Sequence, residues 1–171
     1  MSISYNIFLI GFMGAGKSTV ARALHQKLGL PLVEMDERIV EEQGISINEI
    51  FERFGEDRFR EIESRLILDL GEAGPSVISC GGGVVVRPEN IEYMKKSGKI
   101  VFLSATPETV YERVKNSTDR PILNGHMDVE YIAGLMEKRR ALYEAAADFT
   151  IRTDGRSLDE LCEEIEEKIE S

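Results

Sequence analysis

Only two cysteines occur in the 171 residues, Cys80 and Cys162, and they do not form a CxxC pair. A disulfide framework and a thiolate metal site of the usual spacing are therefore not expected. The two histidines, His25 and His126, also lack partners at ligand spacing. Basic residues are scarce, 21 against 31 acidic ones, for a formal net charge of −10. General nucleic-acid binding calls for a basic face and is not expected either. No apolar run approaches the ~18 residues that span a bilayer. The opening stretch MSISYNIFLIGFMG has no charged n-region and no small-residue cleavage site. These absences together read as a cytoplasmic protein with reduced cysteines and no membrane contact.

The apolar fraction, 42%, is that of a globular chain. The length suits a single domain, 1–171, with one continuous core. Short apolar runs alternate with longer amphipathic ones. Strands are expected over residues 5–10, 31–34, 76–79, 99–103 and 149–152. Helices are expected over 18–28, 46–54, 56–70, from Pro88, from Thr106-Pro107, over 128–146, and from Ser157 onward. Ser46 with Glu49 reads as a capping box, and Thr106-Pro107 as an N-cap followed by proline at the first helical position. Strands alternating with helices require crossover connections, hence an α/β fold with a central five-stranded parallel sheet between helical layers.

GFMGAGKST matches G-x-x-x-x-G-K-[ST] at Gly11, Gly16, Lys17 and Ser18. It follows a strand and opens a helix, the context this phosphate-binding loop needs. Glycines let backbone N–H groups turn toward phosphate oxygens, and the helix adds free N–H groups and a positive dipole end. Lys17 supplies a charge for the β/γ-phosphates, and the Ser18 hydroxyl suits magnesium. Gly14, Ala15 and Thr19 belong to the same cradle. In an acidic chain, a triphosphate site must concentrate cations locally. The D-x-x-G and N/T-K-x-D signatures of switch GTPases are absent, and the chain is short for a motor or transporter. Small-molecule kinases remain.

Further segments carry a specific resemblance. LVEMDERIVEEQG, FGEDRFREIE, SCGGG, DRPIL and MEKRRALY follow the loop in this order and spacing. In this the chain resembles the shikimate kinases over essentially its whole length. The resemblance implies a three-layer P-loop kinase fold, a monomer, ATP as co-substrate with Mg2+, and transfer of a phosphoryl group to the 3-hydroxyl of shikimate.

It also implies roles. Asp36 binds an acceptor hydroxyl, where a carboxylate could orient it and accept its proton; helix N-capping is the structural alternative. Arg60 and Arg139 clamp the shikimate carboxylate, for which planar guanidinium forks are suited; Arg140 sits one position away. Gly81, Gly82 and Gly83 bring backbone N–H groups to the substrate. The substrate-binding helices lie roughly over 36–63. Arg120 lies in a lid, roughly 115–127, and stabilises the γ-phosphate. Arg113 lies near adenine, with residues 153–156, including Arg156, on its other side. Ser79 contacts magnesium through water, and so does Glu34, which stands where the family usually has an aspartate. Cys80 reads as a small buried side chain. Two rivals remain: a gluconate-type or nucleoside monophosphate kinase, and a non-catalytic nucleotide-gated module.

Overall fold

The computed structural model describes residues 3–115 and 128–170. Five strands, β1 (Asn6–Ile10), β2 (Leu32–Glu34), β3 (Val77–Ser79), β4 (Gly98–Ser104) and β5 (Phe149–Arg152), form one sheet in the order β2-β3-β1-β4-β5. Every pairing is parallel. The middle strand β1, NIFLI, is buried throughout because helices cover both faces. Phe8 and Ile10 pack toward α2 (Met35–Gln43), α3 (Ile47–Ala73), α4 (Pro88–Ser97) and α6 (Val129–Ala146). Ile7 and Leu9 pack toward α1 (Lys17–Leu28) and α7 (Leu158–Glu170). α5 (Pro107–Val114) closes the first layer through Val110 and Val114. No helix among the described residues is long and apolar enough to cross a membrane.

The expected helix starts carry their caps. Ser46 Oγ accepts from Glu49 N at 3.1 Å, and Thr106 Oγ1 from Thr109 N at 3.3 Å. Ser157 and Glu160 cap α7 reciprocally, each side chain accepting from the other's backbone N–H. Leu161, Ile165 and Ile169 then face the core, as their spacing requires. The helices expected over 46–54 and 56–70 form one segment, α3, broken at Gly55, whose φ of 85° interrupts the helical path. A short 3-10 turn over Val84–Val86 after the glycine triplet had no signal in the sequence. The N-cap alternative for Asp36 is corrected: α2 starts at Met35, Glu34 holds the cap position, and Asp36 lies in the first turn.

Candidate active site

The loops after β1 and β3 and the start of α2 meet at the carboxyl edge of the sheet, where such folds place their ligands. There they enclose a cleft of about 430 Å³. Gly14, Gly16, Lys17, Ser18 and Thr19 form one end of it; Asp36, Arg60, Glu63, Gly81, Gly82, Gly83 and Arg139 form the other.

At the first end, Gly14 has φ 81°, and a Cβ there would come within 2.8 Å of Val114 Cγ1. Only glycine lets the loop pass so close to α5. Lys17 Nζ donates to Gly11 O at 2.5 Å, so the ammonium is held over the loop. Arg113 donates to Gly14 O at 2.8 Å and lines the same end. Ser18 Oγ donates to Glu34 Oε2 at 3.1 Å, while Glu34 Oε1 is buried with no hydrogen-bond partner. Ser79 stands opposite Glu34 in the β2–β3 register and lines the cleft. A hydroxyl beside an unsatisfied carboxylate oxygen is an all-oxygen donor set, which suits magnesium that takes its other ligands from water and phosphate. The longer Glu34 side chain reaches Ser18 directly.

The second end is built around Arg60, which is 5% exposed. Its Nη1 donates to Glu63 Oε1 at 3.0 Å and its Nη2 to Glu56 Oε2 at 3.2 Å. The guanidinium also lies 5.2 Å from the Phe59 ring centroid. A Cβ at position 83 would lie 2.3 Å from Arg60 Nη2, so a side chain there would displace this guanidinium; the last glycine serves close approach rather than an unusual φ. At Gly81 a Cβ would lie 2.9 Å from Glu63 Oε2 and 3.1 Å from Asp36 Oδ1. Two carboxylates therefore converge on one glycine. Burial pushes the Glu63 carboxyl above its ordinary value; Arg60 counters this, and Asp36 adds to it. Arg139 lies beside Gly82, whereas Arg140 is exposed and pairs along its own helix with Glu137 at 3.0 Å.

Some expected residues are not brought into the cleft. Ala15 is buried in the core, with its N–H bonded to Phe12 O at 3.1 Å inside the loop. Arg156 pairs with Glu164 at 2.6 Å and does not line the cleft. Thr153 ties β5 to β4 by donating to Ser104 O at 2.9 Å. Arg120, His126 and all but the first residue of the lid expected over 115–127 lie outside the described residues. Cys80 is buried, which pushes its thiol far up and keeps it protonated. Sequence reasoning missed Glu63, although the spacing of Arg60 and Glu63 in FREIE is that of an i,i+3 pair. It also missed the apolar wall of Phe51 and Phe59, whose ring centroids lie 5.1 Å apart.

The family model described as shikimate kinase matches residues 13–170. This chain belongs to the shikimate kinase family. A shikimate kinase of Dehalococcoides mccartyi is 45% identical over 169 residues, covering 99% of this chain and 96% of that one. The solved shikimate kinase from Acinetobacter baumannii in complex with shikimate superposes with a TM-score of 0.91 at 33% identity, covering 96% of this chain and 92% of that one. A gluconokinase from Sinorhizobium meliloti reaches a TM-score of 0.60 at 20% identity, covering 96% of this chain and 90% of that one; it shares the fold alone.

Proposed function

We propose that this cleft carries the family's reaction, transfer of the γ-phosphoryl group of ATP to the 3-hydroxyl of shikimate, with the roles divided as follows. The observation that carries the division is the placement of Lys17 and Ser18 at one end and Arg60, Gly83 and Arg139 at the other. Backbone N–H groups of Gly14 and of Gly16 to Thr19 cradle the phosphates, and Lys17 pairs with the β/γ-oxygens. Arg60 and Arg139 take the acceptor carboxylate, and the glycine triplet adds N–H groups. That sets the 3-hydroxyl against Asp36, which orients it and accepts its proton. Arg120 and Arg113 add positive charge on the nucleotide side. Ser18 and Glu34 are the residues that would hold magnesium, with Ser79 acting through water. Magnesium, when bound, neutralises charge on the phosphates.

The deciding experiment is a coupled assay offering shikimate, gluconate and nucleoside monophosphates in turn. Turnover on shikimate alone is expected. Turnover on gluconate or a nucleotide would move the acceptor assignment, and tight ATP binding with no turnover on any acceptor would return the chain to a binding module. The reading as a soluble cytoplasmic protein rests on charge and composition, and that as a monomer on the family resemblance; a dimer mass by light scattering would overturn the oligomeric part.

Glu34→Gln tests the metal assignment. The substitution keeps an acceptor for Ser18 but removes the charge, so the Mg2+ concentration giving half-maximal activity is expected to rise about 10-fold. Calorimetric ADP binding at several Mg2+ concentrations should show the same shift. An unchanged Mg2+ dependence in both would take Glu34 out of the metal shell.

A further inference from the structure

Tyr143 is part of the MEKRRALY stretch, yet no role followed for it from the sequence. In the structure it is 2% exposed, one helical turn after Arg139 on α6. Its ring stacks on Phe102 of β4, with centroids 5.0 Å apart and planes 23° apart. Its hydroxyl donates a short hydrogen bond to Gly82 O, and the Arg139 guanidinium stands near the phenol, where its charge opposes the upward shift. Burial pushes the phenol up to about 12, so the donor proton is retained throughout the neutral range.

The C=O of Gly82 and the N–H of Gly83 belong to one planar trans peptide unit and point in opposite directions. Holding the oxygen against α6 therefore turns the Gly83 N–H away from α6. Gly83 lies against the Arg60 guanidinium and lines the cleft. Its N–H donates to no acceptor among the described residues. A hydroxyl donating to the carbonyl also polarises the peptide, which strengthens the N–H as a donor.

We propose that Tyr143 is a positioning residue for the acceptor carboxylate: through Gly82 O it orients the Gly83 N–H to donate beside Arg60. Arg139 is then doubly coupled to the site, touching the acceptor directly and standing near the phenol behind it. This inference rests on the acceptor being a carboxylate bound at the Arg60 end. Phe102 holds the ring, so phenylalanine at position 143 removes the hydroxyl and keeps the packing.

The test is steady-state kinetics of Tyr143→Phe with two acceptors, shikimate and its analogue with the carboxylate replaced by hydroxymethyl. The variant is expected to raise the shikimate KM about 10-fold while leaving the ATP KM within about 2-fold. Its KM for the analogue should stay within about 2-fold of the unsubstituted enzyme's. An unchanged shikimate KM, or an equal rise for both acceptors, overturns the positioning role. If the unsubstituted enzyme itself does not favour shikimate over the analogue, it is the carboxylate assignment that fails. A second measurement does not depend on turnover. With 15N-glycine labelling, shikimate binding should move the Gly83 amide proton downfield, and by less in Tyr143→Phe. Equal shifts in the two proteins would overturn the proposal.

Discussion

Asparagine at position 36 is expected to lower turnover by about 10²- to 10⁴-fold while both ligands still bind. The carboxylate lies in the first turn of α2 and reaches Gly81 beside the Glu63 carboxylate. An amide has nearly the same shape, so the pocket and its ligand contacts remain, but the group that accepts the hydroxyl proton is gone. Folding should not suffer. Asp36 is a like charge that works against Glu63, so removing it relieves repulsion next to a buried carboxylate. The measurement is single-turnover phosphoryl transfer alongside calorimetric binding of shikimate and ADP. A near-normal kcat would remove Asp36 from the mechanism; loss of binding would make it a binding residue alone.

Arg60→Ala is expected to raise the shikimate KM on the order of 100-fold, the loss of a bidentate, charge-assisted contact, with the ATP KM changed by less than about 3-fold. Equal effects on the two substrates would sink the carboxylate clamp. The variant also leaves Glu63, which is fully buried, without its partner. Breaking a buried pair costs about 3 kcal/mol, so thermal unfolding belongs in the same experiment. Its pH dependence has a definite sign. The folded-state value of Glu63 lies above its ordinary 4.5, so the native protein holds that proton more tightly than the unfolded chain does. The contribution is most favourable below the unfolded value and is lost as pH rises through the folded one. Arg60 is the main influence opposing this shift, so its removal enlarges the shift. The unfolding temperature of Arg60→Ala should therefore fall more than the parent's as the pH is raised above the ordinary carboxyl value of 4.5. A parallel pH dependence would mean that Glu63 finds another partner in the variant.

The elements most legible in the sequence are those whose causes are local. The loop GFMGAGKST contains its own glycines, lysine and serine, and the caps at Ser46 and Thr106 need only residues three positions apart. The helix break was visible as two adjacent helical runs, though Gly55 makes it a sharp turn within one segment. The position of Asp36 was less legible. N-capping and first-turn placement differ by one or two residues, and the chain path out of β2 decides between them.

The sequence by itself determined the parallel α/β architecture and the phosphate loop. It could do so because periodicity, capping and glycine spacing act over a few residues. Only the tertiary structure decided that Glu63 orients Arg60 from within the core. It also decided that the longer Glu34 bonds directly to Ser18, and that Tyr143 holds Gly82 from 61 residues away. These contacts depend on how α6, β4 and the glycine turn close on one another. That closure is set by burial of side chains far apart in the chain, and no short window of sequence records it.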